Sequence, residues 1–196
     1  MAVNLQKGQK VELRKSDGST LRHVMIGLGW DEAKQSGGFF SHRTHNIDCD
    51  ASVFVCQNGK LMSNDDVVYY ANLKHKSGSI THMGDNLTGA GEGDDEQIFV
   101  NLDSLPKEYN KIIFVVNIYK SHERKQTFGM IQNAFIRIID ADNNTELCRY
   151  NLTENYEGMT AMIFGEIYLR NGQWKFNAIG QGTKDASLDE LANRFR

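Results

Sequence analysis

Apolar and polar positions alternate along most of this chain with a period near two, and the runs are short. Residues 10–15 (KVELRK) alternate around Val11 and Leu13. Residues 23–30 (HVMIGLGW) are apolar and close on glycines, and 47–56 (IDCDASVFVC) become richer in β-branched and aromatic side chains toward their end. QIFVNL (97–102), KIIFVVNIY (111–119), NAFIRIID (133–140) and ELCRYNL (146–152) continue the series. Each run predicts a strand. Residues 161–182 read as two strands joined by Asn171-Gly172, a dipeptide that supplies the positive φ angles of a type I′ hairpin, and Asn58-Gly59 repeats the signal. Asp140–Asn144 reads as another hairpin turn, and Pro106 marks a turn or short helix between two strands. Helix signals are few. Ser187 with Glu190 three residues on forms a capping box, predicting a helix over about 187–196 whose Arg194 and Arg196 suit the negative end of its dipole. Roughly nine or ten strands with little helix predict an all-β fold, an antiparallel sandwich of two sheets with short peripheral helices. A closed barrel is the alternative. With no linker or internal repeat, residues 1–196 are expected to form one domain.

Composition adds little to this picture and excludes several classes. The chain has 196 residues, 40% hydrophobic and 24% charged, enough apolar material for a core without disulfides. A net charge of −3 argues against a general nucleic-acid binder. No apolar run approaches the roughly 18 residues of a spanning helix, and the first residues lack the apolar centre of a signal peptide. Three cysteines do not make a disulfide framework, so a reduced, cytoplasmic protein is expected.

Charge is unevenly placed, and this changes the picture. Asp85, Glu92, Asp94, Asp95 and Glu96 crowd one stretch threaded with Gly84, Gly89, Gly91 and Gly93, and no Lys or Arg lies between Lys76 and Lys107. Two unit charges about 4 Å apart repel by roughly 1 kcal/mol in water and roughly 4 kcal/mol at an effective dielectric of 20. Such a loop either splays into solvent or finds a cation. Hard oxygen donors on a glycine-rich backbone favour Ca²⁺, which takes six to eight oxygens at about 2.3–2.6 Å in tolerant geometry. Asp48 and Asp50 form a second acidic element, two residues apart on a strand and so on one face. A cation shared with the loop would account for both; Asp31 is a weaker third contributor. A phosphate cradle fails for want of a base, and the helical calcium-loop pattern does not occur. His42, His45, Cys49 and Cys56 lack zinc spacing. Trp30, Trp174 and Phe176 read as core, and residues 122–132 (HERKQTFGMIQ) as a solvated loop.

With these residues laid out, the chain resembles the TerD family of tellurium-resistance and general stress proteins. The segments that carry the likeness are IGLGWD, IDCDAS, THMGDNLTGAGEGDDE, KIIFVVNIY, QTFGMIQNAFIRI and FGEIYLRNGQWKFNAIGQG, in order from about residue 3 to 182. The resemblance implies a β-sandwich and a site for one or two Ca²⁺ ions. By position it implies Asp48, Asp50, Asp85, Asn86, Asp94, Asp95 and Glu96 as ligands, with Asp31 and Glu92 beside them. Asn46 and Ile47 stand where the family often has an acidic residue and an aromatic, which puts one outer ligand in question. The expected function is a non-enzymatic, Ca²⁺-dependent interaction module of the stress response, partnered by another protein of a stress complex. The alternatives are a Ca²⁺-dependent membrane-surface module and an enzyme acting on tellurium oxyanions.

Overall fold

The computed structural model describes residues 2–15, 17–32, 47–85 and 93–196. Among them are strands β1 (Val3–Leu5), β2 (Lys10–Glu12), β3 (His23–Glu32), β4 (Cys49–Cys56), β5 (Val67–Val68) and β6 (Ile80–Asp85). The series continues with β7 (Glu96–Asn101), β8 (Lys111–Ile118), β9 (Ile131–Asp140), β10 (Thr145–Asn151), β11 (Ala161–Arg170) and β12 (Gln173–Thr183). They make two six-stranded sheets, ordered β1-β10-β9-β3-β7-β6 and β2-β12-β11-β8-β4-β5. This is the expected sandwich, not a closed barrel.

Alternation explains which residues fill the gap between the layers. Ile26 and Leu28 of β3, Ile98 of β7 and Ile136 and Ile138 of β9 face Val53, Val55, Phe114 and Phe164 of the second sheet in one core cluster. Strand β8 reads as an unbroken apolar run because both its faces are covered. Ile112, Phe114 and Val116 enter the inter-sheet core, while Ile113 and Val115 pack with Phe54, Cys56, Leu191 and Ala192 on the outer face. Leu191 and Ala192 come from the C-terminal helix α2 (Leu188–Asn193), which therefore lies on the outside of the second sheet.

The hairpin turns are formed as expected: Asn171 and Gly172 have φ of 53° and 74°, and Asn58 and Gly59 have 53° and 80°. Four details differ. The first sheet is mixed, because β1 runs parallel to β10. Strands β1, β5 and β6 were not expected; the first two are too short to show a period, and β6 runs into the acidic stretch. Helix α2 is shorter than 187–196, and Glu190 Oε2 accepts from Ala186 N–H rather than from the cap residue, while Ser187 Oγ does accept from Glu190 N–H. Arg194 pairs with Asp185 and Arg196 with Asp189, so both serve side-chain pairs at the helix ends. Finally, the expected loop after β8 holds a short helix α1 (Ser121–Arg124) and a 3₁₀ turn (Phe128–Met130) with Gln126 and Phe128 buried.

Candidate functional site

The acidic stretch reaches the strand that carries Asp50, through Glu96 and the Ala51 backbone. Strand β5 covers β4 only at Val53 and Phe54, which leaves the edge of β4 open at Ala51. Residues of the first sheet close it. Ala51 N–H donates to Glu96 Oε1 at 3.2 Å, and His82 Nε2 lies 3.2 Å from Ala51 O. His82 Nδ1 accepts from Gly84 N–H, so the ring proton is assigned to Nε2. Nε2 is also 2.6 Å from Glu96 Oε2, but off the hydrogen-bond line, so this oxygen has a close neighbour and no aligned donor. Glu96 is 6% exposed. Cys49 and Ala51 turn into the inter-sheet core, and by alternation Asp48 and Asp50 leave the strand on the opposite side. Burial pushes the Cys49 thiol well up, and the charges of Asp50, Asp48, Glu96 and Asp95 push it further; these carboxylates share its surroundings.

The remaining candidates take distinct places. The β6–β7 register sets Asp85 directly across from Glu96. Asp95 Oδ2 accepts from Trp30 N–H at 2.6 Å, and Asp31 Oδ2 accepts from Asn133 Nδ2 at 2.8 Å. Asp31, Asp95, Trp30 and Phe135 line an open cleft of about 990 Å³ on the outer face of the first sheet. Asp94 points elsewhere. Its carboxylate accepts from Arg137 Nε at 2.6 Å and Nη2 at 2.9 Å, and from Gln97 Nε2 at 2.9 Å. Arg137 continues to Glu146, and Arg149 joins Glu146 while lying over the Phe135 ring at 4.1 Å. The hydrogen bond from Asp94 holds the Arg137 guanidinium further into its charged form. Asn86, Glu92, His42 and His45 lie outside the described residues. Among the described residues, no three His, Cys, Asp or Glu groups stand close enough together to hold a metal.

Sequence reasoning missed His82, Arg137 and Gly27. Period two from Ile80 would have placed His82 on the core side. Gly27 and Arg137 gave no signal, because their roles depend on a contact between residues far apart in the chain.

A second buried polar cluster lies away from the acidic site. Asp66 Oδ1 accepts from Tyr109 Oη at 2.7 Å and from His75 Nε2 at 3.3 Å, and lies 2.7 Å from Lys76 Nζ. His75 Nδ1 accepts from Ser77 N–H, which assigns the proton to Nε2. Asp66, His75 and Tyr109 are buried. All three cysteines are free and buried, and burial raises the thiols, Cys56 and Cys148 to about 12. Such thiols are poor nucleophiles at neutral pH.

A family model described as "TerD domain" matches residues 1–195. The chain is 49% identical over 199 residues to stress response protein SCP2 of Bacillus subtilis (strain 168), covering 100% of both chains. It is 48% identical over 183 residues to tellurium resistance protein TerD of Serratia marcescens, covering 93% of this chain and 91% of that one. A solved structure of a homologue of telluride resistance protein (TerD), SCO6318 from Streptomyces coelicolor A3(2), superposes with a TM-score of 0.62. Its identity is 20% and the match covers 87% of this chain and 98% of that one, a likeness of fold.

Proposed function

The chain belongs to the TerD domain family, with relatives named for tellurium resistance and stress response, and from that premise we propose that it is a non-enzymatic Ca²⁺-binding module of the stress response. The observation that supports this most is Glu96, a buried carboxylate that accepts from Ala51 N–H on the strand carrying Asp50 and has one oxygen with no aligned donor. A buried carboxylate with one oxygen left without an aligned donor carries a desolvation cost that a cation would relieve. The donors are all hard oxygens, the set Ca²⁺ prefers.

Asp48, Asp50, Asp95 and Glu96 would hold the ion, with Asp85 across the β6–β7 ladder and Asp31 at the margin. Asn86 and Glu92 join them on sequence grounds. Asp94 acts instead as a brace, fixed to Arg137, that positions Asp95 and Glu96 beside it. A bound ion supplies positive charge that relieves the repulsion among these groups. The ordered surface would then engage another protein of a stress complex.

A thermal melt with Ca²⁺, Mg²⁺ or chelator tests this. Ligand at 100 times its Kd stabilises by about 2.7 kcal/mol. For a chain this size that is a rise in Tm of roughly 5–10 °C. Mg²⁺, with its stricter octahedron, should give less. Asp48→Asn/Asp50→Asn should abolish the Ca²⁺ response without lowering the Tm in chelator, since it relieves repulsion. No heat of binding at millimolar Ca²⁺ would end the reading.

A further inference from the structure

We propose that Arg124 is a built-in counter-ion that occupies Asp48 in the ion-free protein and must leave it before a divalent cation can bind, so that it sets the threshold of the site. This rests on the Ca²⁺ reading above. Three features support it. The segment carrying Arg124 is tied to the acidic strand, because Tyr119 N–H donates to Asp48 O at 2.7 Å. Within it, Arg124 Nη1 comes to 3.6 Å from Asp48 Oδ2, while its guanidinium lies over the Tyr119 ring at 5.1 Å. Asp48 has about half its side chain in solvent, so the pair is loose enough to exchange.

The backbone holds Arg124 at this place. Helix α1 is four residues long, with Lys120 and Lys125 at its two ends in the left-handed region at φ 50° and 53°. Side chains other than glycine adopt that region only against steric resistance. The knuckle is also basic: Lys120, Arg124 and Lys125 face only Glu123 of opposite sign within it, and Glu123 lies 3.5 Å from Lys120 Nζ. An arginine beside Asp48 and a divalent cation on Asp48 repel each other and compete for the carboxylate. Release of Arg124 leaves its guanidinium on the Tyr119 face, a second resting place already present.

Ca²⁺ titration calorimetry on the full chain distinguishes the outcomes. Removing one charge about 6–12 Å from a divalent ion tightens its binding by roughly three- to tenfold in a water-like medium. Arg124→Gln should therefore bind Ca²⁺ roughly three- to tenfold more tightly than the unmodified protein. Lys125→Gln has the same charge change without the Asp48 contact and should shift the affinity by less than twofold. In the unmodified protein, the Arg124 Nε–Hε resonance should move as Ca²⁺ is added. Equal tightening in both variants would reduce the effect to general repulsion and overturn the proposal. So would unchanged or weaker affinity in Arg124→Gln. If neither protein binds Ca²⁺, the functional reading itself falls, and this inference with it.

Discussion

Gly27→Ala is expected to destabilise the fold by about 3–5 kcal/mol, the range for breaking a buried ion pair. That corresponds to a fall in Tm of roughly 10 °C for a chain of this size. A Cβ at position 27 would lie 2.3 Å from Asp94 Oδ1 and 2.4 Å from Oδ2, well inside contact distance. The carboxylate cannot step aside cheaply. Arg137 grips it through two nitrogens, Gln97 three residues along the same segment holds it as well, and Asp94 is 4% exposed. Displacing it separates a buried charge from its partner. The double variant Gly27→Ala/Asp94→Ala should then cost clearly less than the sum of its two single changes, because the clash and the pair are one interaction. Strict additivity in urea denaturation would show that Gly27 matters for some other reason. Because Asp94 immediately precedes Asp95 and Glu96, the Gly27 variant should also weaken any Ca²⁺ response.

This same contact shows where sequence reading stops. The strand-forming runs were legible because each has one or two faces buried, and period two survives in the sequence whatever the tertiary partner. The NG turns were legible because they need only local φ angles. The crowding of acidic residues at 92–96, and of Asp48 with Asp50, was legible from charge alone; that Glu96 turns inward to take the Ala51 N–H was not, because it depends on how one sheet packs on the other. Asp94 was grouped with its acidic neighbours on the same logic, and its partner Arg137 sits on β9, with nothing in the local sequence to announce it. The glycines of HVMIGLGW looked like a strand closing. They are in fact flat places in β3 over which Asp94 and Phe135 lie, a requirement set by residues from other strands. His82 was passed over because β6 is only six residues long and its polar loop obscured the alternation. Long-range polar pairs are set by register between strands, and register is not written in any one of them.

The largest pH effect is expected from the Asp66 cluster, and its sign follows from two shifts. Burial lowers His75 below its ordinary value of 6.5, more than Asp66 raises it. Burial alone would raise Asp66, but hydrogen bonds from Lys76, Tyr109 and His75 outweigh it and hold the carboxyl below 3.8. In both cases the unfolded chain takes up a proton at a higher pH than the folded one, so stability falls on acidification. The His75 contribution is complete above pH 6.5 and is lost as the pH falls from there through the depressed folded value. That of Asp66 is complete above 3.8 and is lost as the pH falls further. Tyr109, raised chiefly by burial and then by its bond to Asp66, works the other way, its contribution fading as the pH climbs above 10. The other groups facing the cluster, Lys76 and the Cys56 thiol, do not titrate between these limits. Urea denaturation between pH 4 and 8 should show a loss of stability beginning near 6.5. In His75→Gln, which keeps a donor for Asp66 but cannot take up a proton, that first step should vanish while the deeper acid loss remains. Asp66→Ala, which strands the Tyr109 hydroxyl and the His75 N–H in the interior, should cost about 3–5 kcal/mol at neutral pH. If His75→Gln retained the full step between pH 6.5 and 5, the proton uptake would belong to another histidine, and the cluster would be a packing feature with no hold on acid stability.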